Sequence, residues 1–154
     1  MTLYRWLLLL HILAAMVWIG GGILLQVLGG RLARARDEEG MVKFSRDIEI
    51  LGPRVFAPAS LAVLGLGVGM VVVSDAWAFS QLWIVLALVA FGLSFVVGIA
   101  YFGPASKRLE RAVETEGPRG STVQRLIRQN LLVSRLDLAV LLFVVWDMVF
   151  KPGL

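Results

Sequence analysis

The sequence predicts an all-α integral membrane protein, a four-helix bundle whose helices extend into the cytoplasm. Of its 154 residues, 58% are hydrophobic and only 17% are charged. Soluble domains carry about 45–50% apolar and about 25% charged residues, so an ordinary soluble fold is excluded. The apolar residues also fall into four long blocks, and a helix needs roughly 20 such residues to cross a bilayer.

The four blocks define the predicted spans within a single domain, 1–154. These spans cover residues 3–28, 55–73, 82–102 and 131–150. The first block begins like a secretory signal, but a signal core is only about 7–15 residues long. Here the apolar run continues through "VWIGGGILLQVLGG". We therefore interpret it as a retained span.

Basic residues set the predicted orientation. Segments 31–54 and 103–130 carry six Lys and Arg residues each, whereas segment 74–80 carries none. Basic residues that flank spans stay cytoplasmic, so both termini and segment 74–80 are predicted to be extracytoplasmic. This orientation favours a multi-pass protein of the inner membrane, with the lipid bilayer as its partner and no nucleic acid bound. Interfacial aromatic residues agree, all at the predicted outer ends: Tyr4, Trp6, Trp77, Phe79, Trp83, Trp146 and Phe150.

The two basic connections show helical periodicity. Apolar residues recur between Met41 and Leu51 at helical spacing, and "SKRLERAVE" extends the third span. Ser121 is predicted to be the N-cap of the helix that leads into the fourth span. Solvated helix extensions are one interpretation, and a docking surface for a partner or anionic lipid is the other. The residues do not distinguish the two.

Glycines and one proline mark the first two spans. Gly65 and Gly69 form a small-residue pair, and the first span has a glycine run at 20–22. Such residues allow close helix packing in lipid, and they also make room for a flat ligand. Pro58 removes a backbone hydrogen bond and is predicted to kink the second span.

The fourth span contains three charged residues, which are costly in lipid. Asp137 is predicted to form a structural ion pair with Arg54 or Arg31 on another helix, because Arg135 is only two residues away and faces elsewhere. A proton or ion relay is the alternative role. Asp147 lies four residues before Lys151, the spacing of a surface ion pair, and Arg5 is another candidate partner.

His11 is the only histidine, and it lies in the outer half of the first span. A histidine in lipid needs a partner. One candidate is a hydroxyl or carbonyl on a neighbouring helix. The other is heme iron, with Met70 of the second span at a comparable depth as a second ligand.

Three segments resemble known families. "LHILAAMVWIGGGILLQVLGGR", "LGPRVFAPASLAVLGLGVGM" and "RLDLAVLLFVVWDMVFKPG" are similar to the first, second and fourth spans of a bacterial four-helix integral membrane family known only as a domain of unknown function. More distantly, the chain resembles CopD-type copper-resistance membrane proteins and heme-containing protoporphyrinogen oxidases. The resemblance covers nearly the whole chain.

The oxidase resemblance implies that His11 is a heme ligand. That family also has a Lys in the third span, whereas "LWIVLALVAFGLSF" has none, so oxidase activity is not expected. With no Cys and one His, a copper site is not expected either.

Three functions remain open. The first is a heme b-binding electron-transfer module. The second is a non-enzymatic membrane assembly or interaction protein without a cofactor, which forms a homo-oligomer or binds a membrane partner. The third is a transporter subunit, which the position of the charges near the membrane faces counts against. No nucleotide-binding motif and no nucleophile–base pair indicates an enzyme.

Overall fold

The chain folds entirely into helices. The structure is a computed structural model that describes residues 3–153, apart from the side chain at position 38. Its α-helices are α1 (Leu3–Ala35), α2 (Glu38–Leu51), α3 (Ala57–Val72), α4 (Leu82–Val96), α5 (Gly103–Glu116) and α6 (Ser121–Phe150). Two π-helical turns, Gly52–Phe56 and Val97–Phe102, join α2 to α3 and α4 to α5. The described part of the chain thus has four long helices and no strand, and the predicted helical membrane bundle is confirmed.

Three of the four long helices have the length and apolar composition needed to cross a membrane. They are Leu3–Ala35, Glu39–Val72 and Leu82–Glu116. The fourth, α6, is not among them. A crossing by α6 stays a prediction, as does the orientation of the bundle.

Each π-helical turn is followed at once by a proline in the first turn of the next helix. Pro58 follows the turn Gly52–Phe56, and Pro104 follows Val97–Phe102. A proline has no N–H, so it cannot donate to the carbonyl four residues earlier, which lies inside the π turn in both cases. The kink predicted at Pro58 stays a prediction, and the structure places a π-helical turn directly before α3.

Helix packing follows the order α3, α1, α6, α4. Close contacts join α1 to α3, α1 to α6 and α4 to α6, while α5 packs on α6 and α2. We call the end of the bundle where α1 begins and α6 ends the terminal end. The opposite end, which carries the two basic connections, is called the basic end. Among the described elements, α3 and α4 are not a closely packed pair, although they follow each other in the chain.

The largest buried cluster lies at the basic end, between α2, α5 and α6. Its members share near-complete burial: Met41, Leu109, Ala112, Val123 and Ile127. The apolar residues of the extensions therefore pack against one another, which confirms amphipathic helices in these segments. By contrast, α1 exposes apolar side chains such as Met16 and Leu24 along its length, as expected for a surface that faces lipid.

The start of α6 differs from the prediction. Ser121 was expected to cap the helix, but the N-cap residue is Gly120, which has no side chain that could bond to the free N–H groups. Instead, the Glu116 carboxylate accepts hydrogen bonds from the Thr122 backbone N–H at 3.1 Å and from the Thr122 hydroxyl at 2.5 Å. These donors favour the charged carboxylate and lower the pKa of Glu116. The prediction for Ser121 was wrong because Glu116, at the end of α5, supplies the acceptor for a free N–H group at the start of α6.

Candidate functional site

His11 forms a hydrogen bond between two helices. Its Nδ1 atom lies 2.9 Å from the backbone carbonyl oxygen of Val63 on α3, and the ring is half-buried. A carbonyl only accepts hydrogen bonds, so Nδ1 carries the proton and donates it. The neutral imidazole then keeps its lone pair on Nε2, the arrangement that metal-binding histidines adopt.

Gly67 provides the space for the imidazole. A Cβ atom built at Gly67 would lie 3.2 Å from His11 Cε1 and 3.5 Å from Nδ1. Two residues further along α3, a Cβ atom at Gly69 would contact the Leu7 side chain at 3.6 Å. Glycine at these positions lets α3 approach α1 closely. The sequence predicted a packing pair of Gly65 and Gly69. A Cβ atom built at Gly65 would have no atom within 4 Å, so the glycines of this contact are Gly67 and Gly69.

Met70 is half-buried on α3, three residues after Gly67. This spacing places it on the same side of α3 as the glycine that contacts His11. Of the two residues of the predicted cofactor site, His11 lies in the α1–α3 contact. A role for Met70 opposite His11 stays a prediction.

A second polar region runs along α6. Asn130 accepts a hydrogen bond from the Tyr101 hydroxyl at 3.1 Å, and Ser134 binds the Gln26 side chain of α1. Asp137 is hydrogen-bonded by Ser94, which is buried in α4. Polar side chains of α6 thus hold both of its neighbours, α1 and α4.

The predicted ion pair of Asp137 stays a prediction for both arginines. Arg54 lies in the first π-helical turn and is exposed. Arg31 lines a cavity between α1 and α6 together with Arg135. The partner that the structure gives Asp137 is Ser94. This partner is not predictable from the sequence, because a single serine in an apolar run is typical of a small packing residue.

Asp147 differs from its predicted role as a surface partner of Lys151. The residue is fully buried, and neither carboxylate oxygen has a hydrogen-bond partner. Lys151 is the C-cap of α6, and its backbone N–H still donates to the Asp147 carbonyl at 2.8 Å, but its side chain does not pair with the carboxylate. Its Nζ atom instead lies 4.1 Å from the ring centroid of Trp77. The predicted surface pair is therefore wrong.

Aromatic residues close the terminal end. The Trp77 indole N–H donates to the Tyr4 hydroxyl at 3.2 Å. Trp77 also meets Trp83 edge to face at 5.3 Å between ring centroids. The segment between α3 and α4 is thus held to both α1 and α6. The predicted aromatic belt contains these three rings, and they gather at one end of the bundle.

The donor groups restrict the possible metal chemistry. Within residues 3–153, no group of three or more His, Cys, Asp or Glu side chains could hold a metal ion. A protein-only metal site is therefore not formed by the described residues. A single axial ligand to a cofactor that brings its own metal needs only one such donor, and His11 is one.

Comparison with known proteins agrees with the fold. A family model described as "Predicted integral membrane protein (DUF2269)" matches residues 5–152. No curated protein and no solved structure matches the chain. The distant resemblance to CopD-type proteins is not shown by these comparisons. Because the family model covers nearly the whole chain, this protein belongs to the DUF2269 family of predicted integral membrane proteins.

Proposed function

We propose that this protein is a heme b-binding membrane module with His11 as an axial ligand. The observation that carries the proposal is the hydrogen bond from His11 Nδ1 to the Val63 carbonyl. It fixes the tautomer whose Nε2 is free to bind iron, and it orients the ring from a rigid helix. A bound heme would supply one-electron chemistry, so the module would transfer electrons within the membrane.

The surroundings of His11 support the fit of a flat, apolar group. Ala15, Trp18 and Gly22 follow His11 on the same face of α1. A Cβ atom at Gly22 would meet no atom within 4 Å. The gap in close packing between α3 and α4 also leaves one side of the bundle less tightly closed. Met70 on α3 is the thioether that would serve as a second ligand.

The test is the absorption spectrum of protein expressed with a heme precursor and purified in detergent. Wild type is expected to show a Soret band. His11→Asn removes the ring nitrogen while its amide can still donate to Val63, so the fold is kept and the band is lost. Met70→Leu is the matched test of the second ligand and is expected to change the position of the band. A colourless wild type, or an unchanged band in His11→Asn, contradicts the proposal.

The second candidate is a membrane assembly or interaction module without a cofactor. It is favoured by the close fit of the imidazole against Gly67, because this contact accounts for His11 as a bond between α1 and α3. The two candidates differ in what His11→Asn changes. A cofactor-free module would remain colourless, and the variant would retain wild-type stability because the donor to Val63 is preserved.

A further inference from the structure

A cavity of about 370 Å³ opens between α1 and α6 near the basic end. Three arginines line it, namely Arg31 and Arg34 from α1 and Arg135 from α6. The remaining wall is mostly apolar and includes Val27, Leu138 and Leu142. We call this feature the arginine groove.

The charged and apolar parts of the arginine groove are ordered along the bundle. On α1 the arginines lie closer to the basic end than Val27. On α6, which runs in the opposite direction, Arg135 lies closer to that end than Leu138 and Leu142. The groove is therefore cationic toward the predicted interface and apolar toward the middle of the predicted spans. A phospholipid has the same order, with a phosphate at the interface and acyl chains below it.

Among the described residues, no acidic residue offsets the three arginines along the lining of the groove itself. Asp137, the acid nearest to Arg135 in the chain, is hydrogen-bonded by Ser94 of α4. A cation at this depth needs a counter-charge, and guanidinium groups bind phosphate oxygens in a bidentate manner.

A neighbouring groove provides an internal comparison. It lies between α1 and α2, shares Arg31 with the arginine groove, and is also lined by Lys43 and Asp47. Its acid offsets part of its positive charge. The excess of positive charge beside an apolar wall is therefore a property of the arginine groove and not of every cavity at the basic end.

We propose that the arginine groove binds one anionic phospholipid, with its phosphate held by Arg31, Arg34 and Arg135 and an acyl chain lying along Leu138 and Leu142. Basic pockets between membrane helices bind anionic headgroups in this way. The inference is independent of heme, because His11 lies toward the other end of α1.

The experiment measures lipid bound to the purified full-length protein by native mass spectrometry. Protein in a neutral detergent is titrated with dioleoylphosphatidylglycerol and, separately, with dioleoylphosphatidylcholine. Wild type is expected to bind one phosphatidylglycerol with about 10-fold higher affinity than phosphatidylcholine. Arg31→Gln combined with Arg135→Gln is expected to remove this preference.

The matched control is Arg46→Gln combined with Arg108→Gln. It removes the same charge from exposed positions at the basic end that do not line the groove. This control is expected to keep the preference of wild type. Equal loss in both double variants, or equal binding of the two lipids by wild type, overturns the proposal.

Two further measurements keep the test decisive if the double variant folds poorly. Ala139→Phe fills the apolar wall without changing the charge and is expected to weaken phosphatidylglycerol binding. Ala100→Phe, at an exposed position outside the groove, is its control. On wild type alone, inorganic phosphate is added as a competitor and is expected to leave the lipid bound, because it lacks the acyl chain. Displacement of the lipid by inorganic phosphate at equal concentration shows a simple anion site and contradicts the lipid proposal.

Discussion

Ser94 of α4 is hydrogen-bonded to Asp137 of α6, and this contact joins two helices through the only carboxylate in the middle of α6. Ser94 is buried, so its hydroxyl has little access to solvent. The pair therefore fixes the rotation of α6 relative to α4.

The first prediction concerns the partners of Asp137. Asp137→Asn and Ser94→Ala are each expected to lower stability in detergent by about 0.5–1.5 kcal/mol, in the range of polar contacts between membrane helices. The double variant should cost less than the sum of the two, because one contact is lost in both. Unfolding in mixed micelles measures these free energies.

The same cycle applied to Asp137 with Arg31→Gln, and then with Arg54→Gln, tests the predicted ion pair. One of the two arginines is expected to couple to Asp137. Strict additivity for both would remove the ion pair and leave Ser94 as the partner.

The second prediction compares two glycines of α3. Gly67→Ala places a methyl group 3.2 Å from the His11 ring, tighter than ordinary contact, and is expected to cost about 1–3 kcal/mol. Gly65→Ala meets no atom within 4 Å and is expected to gain up to about 1 kcal/mol from helix propensity. Thermal unfolding in detergent measures both. Equal effects of the two substitutions would show that Gly67 does not accommodate His11.

The third prediction concerns the buried carboxylate of Asp147. Both oxygens lack hydrogen-bond partners, so the protein bears the cost of removing them from water. Asp147→Leu is therefore expected to raise stability by about 1–3 kcal/mol. Asp75→Leu, at an exposed site in the segment between α3 and α4, is the control and should change stability by less than about 0.5 kcal/mol. A loss of stability in Asp147→Leu would show that the carboxylate has a partner.

The fourth prediction is a pH dependence at the start of α6. The folded-state pKa of Glu116 is lowered by the two donors of Thr122. Its stabilising contribution is therefore complete above the unfolded pKa and is lost as the pH falls through the folded value. Acidification should lower the protection of the amides in the first turn of α6 against hydrogen exchange, measured relative to their intrinsic exchange rates, and Glu116→Gln should show this lower protection already at neutral pH. If the difference in protection between wild type and Glu116→Gln were the same at every pH, the carboxylate would not have this role.

The fifth prediction is the topology. Both termini are expected to be extracytoplasmic, because the six basic residues of 31–54 and the six of 103–130 flank the same end of the helices. An alkaline phosphatase fusion at the C-terminus should be active, and one within 31–54 should be inactive. The opposite pattern would invert the bundle.

The helices were predictable from the sequence because their signals are long and repeated. The first apolar block is longer than the apolar core of a signal peptide, and it predicts α1. The helical spacing of the apolar residues from Met41 to Leu51 predicts α2. Such patterns reflect which side chains face water, and this depends little on the details of packing. The start of α4 at Leu82 and the end of α6 at Phe150 agree with the predicted limits of those spans.

The partners of single polar residues were not predictable in the same way. Asp147 and Lys151 have the spacing of an ion pair, but the Lys151 ammonium lies over the Trp77 ring and the Asp147 carboxylate is buried without a partner. Ser94 carries no signal that would select Asp137 over any other group. Gly67 could have been found only by knowing the register of α1 against α3.

One signal in the sequence was available and was missed. The tetrapeptides "VFAP" and "YFGP" each place a proline two residues after a phenylalanine. Both mark the end of a π-helical turn. The repeat indicates that the second and third long helices both contain a π-helical turn directly before a proline-containing first turn of an α-helix.

The π-helical turns change the rotational phase of the helices that contain them. A π turn holds roughly one residue more than an α turn, so side chains beyond it are rotated by about a quarter of a circle relative to an uninterrupted helix. This rotation separates the neighbours of the two halves, since α3 packs on α1 while α2 also packs on α5. One continuous helix can thereby pack against one set of helices along α3, in the predicted span, and against another set along α2, in the predicted cytoplasmic extension. Deleting a single residue from Gly52–Phe56 would bring the two halves back into phase and turn the apolar side of α2 away from Leu109.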